Sequence, residues 1–270
     1  TVTWRSNVLG SMRVFRAAAD AGVPALVYAS SVGAYSPGPK DRPVDESWPT
    51  HGWPGAAYSR EKAYVERVLD VFEHDHPDIR VVRMRPGFVF KREAASEQRR
   101  LFGGPFVPRR LLRPGRIPFV PDIPGLRFQA LHADDAGEAY RLAVSRPVTG
   151  AFNLAAEPVL DPESLARLLG ARTVALSPRL ARGAMAAGWH LRLLPAAPGL
   201  FEMLLRQPVM STERARDVLG WTPRYSAADA VRELMEGLHE GAGMDTAPLA
   251  PDGGPAGRLK EVASGVAGRP

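Results

Sequence analysis

The chain has 270 residues, no cysteine and a formal net charge of +6. That length can bury a large core, as one domain or two small ones, and the absence of thiols excludes disulfides and thiolate metal sites. No apolar run approaches the roughly 18 residues of a membrane span, and the basic residues, clustered only from Lys91 to Arg116, accompany no nucleic-acid reading motif, so neither membrane nor nucleic acid is expected as a partner.

The opening Thr1-Val2-Thr3-Trp4-Arg5 reads as neither a signal peptide nor an initiator methionine, which makes the cytoplasm the default location. Val8 to Ala21 then reads as an amphipathic helix, with Val8, Met12, Phe15 and Ala19 on one face and Gly22 and Pro24 as stop signals. Leu26 to Ala29 is a short apolar strand that runs into Ser30 and Ser31. Ser36 to Trp53, rich in Pro, Gly and Asp, is a loop. Ala57 to His74 is the next helix, with Tyr64, Val68 and Val71 expected to face inward, and Arg80 to Val89 is a strand whose apolar residues alternate imperfectly with arginines. Helix, strand, loop, helix, strand is the order of a parallel α/β sheet.

Lys91 to Pro124 looks irregular, and Phe128 to Leu131 is a short strand. Asp134 is expected to cap a helix from Asp135 to Ser145. Ala151 to Leu154 is a strand, Asp161 caps a helix from Pro162 to Leu169, and Thr173 to Leu176 could be a last strand. Leu180 to Leu205 is helical in two pieces, and two more helices, Thr212 to Leu219 and Ala227 to Leu238, flank the turn Gly220-Trp221-Thr222-Pro223. Residues 241–270 are poor in large apolar side chains and read as a disordered tail.

Tyr58 and Lys62 carry the chemistry. They stand four apart in a helical segment, on one face, in a chain with only four lysines. An ammonium beside a phenol stabilises the phenolate, so the Tyr58 pKa is expected to fall from about 10. That makes Tyr58 a candidate general acid and base, with a serine hydroxyl to hold the reacting oxygen. The bland alternative is an exposed aromatic–lysine helix pair. Two further groups have bland readings that fit them better. His74 and His76 sit at a helix end before Pro77 and read as solvated surface, not as a metal site. His132 with Asp134 and Asp135 reads as capping and docking more readily than as a relay.

Seven motifs in order give the chain a likeness. Asn7-Val8-Leu9-Gly10-Ser11, Val27 to Tyr35, Tyr58 to Lys62, Arg85-Pro86-Gly87-Phe88-Val89, Leu131 to Asp135, Ala151 to Leu154 and Leu219 to Pro223 resemble successive segments of the extended short-chain dehydrogenase/reductases, in particular the NAD-dependent epimerase/dehydratase family. The resemblance covers about residues 5–238.

It implies an α/β fold with a Rossmann-type parallel sheet and a smaller C-terminal substrate domain. Residues 1–90 and 126–156 would form the dinucleotide-binding part, and 91–125 and 157–240 the substrate-binding part. By similarity Tyr58 exchanges a proton with the substrate, Lys62 lowers its pKa and bonds the nicotinamide ribose, and Ser31 orients the reacting oxygen. Asn7 would support the active-site helix or a relay water. Ser30, Pro86, Gly87 and Val89 would lie along the cofactor, which is NAD or NADP, and Phe88 along the substrate. No metal is implied. The resemblance points to an oxidoreductase or epimerase acting on a hydroxyl or carbonyl of a small molecule. A homodimer stays open.

The likeness has gaps. The family's phosphate-cradling Gly-x-x-Gly-x-x-Gly is not found in these residues. The chain therefore reads as an N-terminally truncated member whose sheet lacks its first strands, leaving Leu26 to Ala29 an open edge, and it is expected to bind a dinucleotide poorly. A non-catalytic dinucleotide sensor and an inactive fragment are the competing readings. Val32 and Gly33 stand where dehydratase members carry an acidic pair, and Phe88 stands where sugar-nucleotide epimerases carry Asn. Both substitutions count against those substrates. Met185, Trp189, Leu193, Leu194, Leu200, Phe201, Met203 and Leu204 could line an apolar pocket, although helix packing is the commoner use of such faces.

Overall fold

The computed structural model describes residues 2–106, 112–113, 115–246 and 249–251. Its centre is a parallel sheet in the order Ala25–Ala29, Arg80–Pro86, Gly150–Leu154. Leu26 pairs with Val81 and Ala29 with Met84, and Met84 in turn with Phe152. Among the described residues no strand lies beside the outer edge of Ala25–Ala29.

Alternation along the middle strand sends its side chains to two different cores. Val81 joins Val8, Phe15, Val65, Leu69 and Phe72, which belong to the N-terminal helical run and to the helix Ala57–Asp75. Val82 and Met84 join Phe152, Leu154, Leu142 and Trp221 on the opposite face, under the helix Ala133–Ser145. The helix Ala57–Asp75 therefore points Val65, Leu69 and Phe72 inward, whereas Tyr64 and Val71 are exposed. The helix shares only Val68, partly buried against this core, with the expected inward set. Its mixed face, with Ser59, Glu61 and Glu66 also buried, blurs the apolar periodicity.

Those buried polar residues explain the imperfect alternation of Arg80 to Val89. Arg83 and Arg85 are buried because the helix offers them acids at positions 66, 70 and 73, a helical spacing. Arg85 bonds Glu66 through Nε and Nη2, each at 2.9 Å. Arg83 bonds Glu66 at 3.1 Å, Asp70 at 2.7 Å and Glu73 as well. Arg85 also donates to the Tyr35 hydroxyl and the Glu46 carbonyl, each at 2.9 Å. Tyr35 donates onward to Asn153 Oδ1 at 2.7 Å.

The expected strand Arg80 to Val89 breaks at Gly87. There the backbone passes so close to Gln129 that a Cβ would sit 2.5 Å from its carbonyl oxygen. The continuation Phe88–Phe90 pairs with Ala130–His132, which begins two residues and ends one residue later than the expected Phe128 to Leu131. The loop after Tyr35 contains a short strand, Pro43–Val44, paired with Val209–Met210. Lys91 to Pro124 is less irregular than its composition suggests, with a helical stretch over 95–103 and the strand Phe119–Asp122, which pairs with Arg172–Ala175.

The helix expected from Asp135 starts at Ala133 and is capped by His132, whose Nδ1 accepts from Asp134 N–H at 3.2 Å. Asp135 instead accepts the backbone N–H groups of Arg224 and Tyr225, each at 2.9 Å, and docks that C-terminal turn. Asp161 caps Pro162–Leu169 in a reciprocal box with Ser164. The two-piece helix is Pro178–His190 and Pro198–Arg206. Of the expected tail, 247–248 and 252–270 lie outside the described residues, and within the rest Met244 N–H donates to Leu249 O at 2.7 Å. No described helix is long and apolar enough to cross a membrane.

Removing one partner of a buried ion pair leaves an uncompensated charge. Glu66→Gln should lower the unfolding free energy by about 3–5 kcal/mol, read by urea denaturation. A loss under about 1 kcal/mol would show that Arg83 and Arg85 find other partners at little cost.

Candidate active site

The parallel strand Ala25–Ala29 delivers Ser30 and Ser31 at its C-terminal end, where α/β sheets bind ligands. Both serines are buried, but they turn to different partners. Ser30 donates to Glu66 Oε1 at 2.6 Å, which uses its hydroxyl inside the protein. Ser31 caps a single 3₁₀ turn, Val32–Ala34, by accepting from Gly33 N–H at 3.0 Å. Its own proton stays free to donate.

Tyr58 lies in the first turn of Ala57–Asp75 and meets that serine. The residue keeps 38% of its surface exposed, while its hydroxyl end lies near enough to the Ser31 side chain for the two to interact. A Cβ on Gly33 would come within 2.9 Å of Tyr58 Cε1 and 3.3 Å of Met203 Sδ. Gly33 thus lets the ring and Met203 close over the turn. The start of the helix is held from below, as Ser59 Oγ donates to Gly33 O at 2.6 Å and accepts from Trp53 N–H.

Lys62 is one helical turn further on. Its ammonium donates to Ala29 O at 2.6 Å and lies 5.8 Å from the Tyr58 ring centroid and 5.1 Å from that of Tyr28. This changes the expected electrostatics. Burial pushes the Tyr58 phenol up, and the nearby Ser31 hydroxyl pulls it only partly back. Lys62 itself is pushed down by burial, against the pull of Glu66 and Glu61. The expected fall of the Tyr58 pKa is therefore corrected to a rise, because the ammonium is spent on a strand carbonyl while the phenol sits in a desolvated corner.

The other expected residues are spread around this centre. Asn7 is exposed, and its amide donates to Glu61 Oε2 at 2.7 Å, so it braces the active-site helix one residue before Lys62. Pro86 ends the middle strand and pairs with Leu154. Gly87 N–H donates to Leu154 O at 2.9 Å, and Val89 packs on the sheet core. Phe88 lines a separate cavity of about 380 Å³, whose lining includes neither serine.

Sequence reasoning missed two residues here. Glu66 follows Tyr58 and Lys62 at the same four-residue spacing, a signal open to inspection. Met203 comes from the distant helix Pro198–Arg206, and no local pattern could have placed it over Gly33.

Comparison with known proteins sets this geometry in context. The family model described as NAD dependent epimerase/dehydratase family matches residues 1–155. No curated protein matches the chain in sequence. Among solved structures, the chain resembles a UDP-glucose 4-epimerase from Thermotoga maritima with UDP-glucose, at 18% identity and a TM-score of 0.62, covering 87% of this chain and 70% of that one. It resembles a Thermus thermophilus UDP-glucose 4-epimerase in complex with NAD at 22% identity and a TM-score of 0.59, with 87% and 70% covered. A dTDP-glucose 4,6-dehydratase from Streptomyces venezuelae with NAD bound is similar at 17% identity and a TM-score of 0.60, with 89% and 67% covered. These likenesses establish a Rossmann-type α/β fold.

The raised Tyr58 pKa fixes a sign. The folded protein favours the neutral phenol, so this contribution to stability is complete below about pH 10 and is lost as pH rises through the higher folded value. Tyr58→Phe should remove one phenol from the late-ionising part of the ultraviolet phenolate titration. Loss of a phenol that ionises at or below about pH 10 would contradict the desolvated setting.

Proposed function

The chain belongs to the NAD dependent epimerase/dehydratase family, and on that footing we propose that it is an NAD(P)-dependent oxidoreductase acting on a carbonyl or hydroxyl of a small molecule. Tyr58 is the proton donor and acceptor, Ser31 orients the reacting oxygen, and Lys62 holds the nicotinamide ribose. The observation that carries this reading is the placing of the Ser31 side chain near the Tyr58 phenol, one helical turn from Lys62, at the C-terminal end of the parallel sheet.

The donor set suits the nicotinamide nucleoside. Lys62 spends one of its three N–H donors on Ala29 O and keeps two for ribose hydroxyls. Pro86, Gly87 and Val89 bring little polar side chain to the same end of the sheet, which suits a flat ring. Ser30 is better assigned a positioning role, since its hydroxyl is taken by Glu66. Bound there, the nicotinamide would supply hydride exchange at its C4.

The protein's own part is the proton. Ser31 accepts from Gly33 N–H, so its O–H is directed outward, to the Tyr58 oxygen or to a substrate oxygen in its place. The raised phenol pKa keeps Tyr58 protonated at neutral pH, the form that donates to a carbonyl oxygen as its carbon is reduced. In reverse, the same oxygen takes the proton of a substrate hydroxyl. Val32 and Gly33 put no acid beside Ser31, which leaves elimination chemistry without a second proton carrier.

A panel of aldehydes and ketones assayed with NADH and NADPH tests the proposal. Tyr58→Phe should cut turnover about 10²–10⁴-fold, while calorimetry finds NAD affinity within about threefold. Turnover within about tenfold of the parent protein would remove Tyr58 from the proton transfer.

A further inference from the structure

The structure holds a cavity of about 380 Å³ that neither Ser31 nor Tyr58 lines. That falls in the range of small-molecule pockets and far exceeds an ordinary packing void, which seldom holds more than a water. Phe88 and Phe90 come from the strand that continues Arg80–Gly87. Phe128 faces Phe88 edge-on, with centroids 5.5 Å apart. Leu204 comes from Pro198–Arg206, and Leu234 and Leu238 from Ala227–Glu240. Among the described lining residues only Gln98 and Arg99 bear polar side chains, and Arg99 Nη1 is engaged with Gly104 O at 3.0 Å.

Two links join this cavity to the candidate active site. Phe88 directly follows Pro86-Gly87, at the end of the strand whose arginines anchor the active-site helix. Leu204 directly follows Met203, which reaches Gly33 and so lies beside the Tyr58 ring. The Leu204 wall is fixed in place, since its carbonyl accepts from Lys40 Nζ at 2.7 Å.

We propose that this cavity seats the hydrocarbon body of the substrate, an aromatic or alicyclic ketone or secondary alcohol carrying no phosphate, whose oxygen is presented to Ser31 and Tyr58. The inference rests on the oxidoreductase reading and adds the substrate class. Its ground is chemical. A diphosphate or a sugar needs hydrogen-bond donors and acceptors, and an apolar wall that strips their water returns nothing. A ring system meets phenylalanine edges and leucine side chains, and its burial is favourable.

The test uses binding rather than turnover, so its failure is distinct from failure of the Tyr58 assignment. Calorimetry on the full chain with 2-acetonaphthone should detect binding, and UDP-glucose should bind at least tenfold more weakly. Leu234→Trp, which fills the cavity from one wall, should weaken 2-acetonaphthone at least tenfold, while Leu234→Met should leave it within a factor of three. If Leu234→Trp melts early, Leu204→Trp fills the space from the opposite wall. The proposal is overturned if 2-acetonaphthone does not bind, if UDP-glucose binds as tightly, or if it binds the filled variants as well as the parent.

Discussion

The fully buried carboxylate of Glu66 holds the site together. It accepts from Ser30, Arg83 and Arg85, and so ties the end of one strand and the middle of the next to the helix that bears Tyr58 and Lys62. Burial alone would raise its pKa, yet the bonds from Arg85, Ser30 and Arg83 hold it below the usual carboxylate range. A charge this deep is tolerable only when fully paired. The pairing also fixes the register of helix on sheet, because a slip of one residue would orphan two guanidinium groups. Through Arg85 it reaches Tyr35, and through Tyr35 it reaches Asn153 in the third strand.

Function depends on that rigidity. Ser31 follows Ser30, so anchoring Ser30 to the helix sets where the Ser31 hydroxyl meets Tyr58. The same strand, continued past the bend at Gly87, supplies Phe88 to the apolar cavity. Helix Pro198–Arg206 closes the arrangement, with Met203 over Gly33 and its Gly199 packed so tightly on Gly55 that a Cβ would sit 1.9 Å from the Gly55 carbonyl oxygen. On the proposed reading, proton chemistry and substrate fit fall to neighbouring residues of the same segments: 30 and 31, 87 and 88, 203 and 204.

Much of this was legible in the sequence, for physical reasons. The parallel order followed from alternating helix and strand signals. Ser31, Tyr58 and Lys62 stood out because a hydroxyl pair after an apolar strand and a Tyr–Lys pair at helical spacing are local patterns. Family membership followed from motif order. What was hidden depended on distant parts of the chain. The inward face of Ala57–Asp75 was misplaced because Glu66 is buried through arginines on another strand. The Tyr58 pKa was misjudged because burial desolvates the phenol, while the Lys62 ammonium donates to Ala29 O. The cap of Ala133–Ser145 was assigned to Asp134, whereas His132 takes that role. The strand Pro43–Val44 was invisible because its partner, Val209–Met210, lies far along the chain.

The central claim is that Ser31 and Tyr58 form one proton-transferring unit facing a nicotinamide. A crystal structure of the protein soaked with NAD tests it most directly. The account predicts the nicotinamide ring beside the Tyr58 oxygen, with Ser31 hydrogen-bonded to that oxygen and the ribose hydroxyls on Lys62 Nζ. A nicotinamide seated away from Tyr58, or a Tyr58 oxygen turned from Ser31 in the complex, would contradict it.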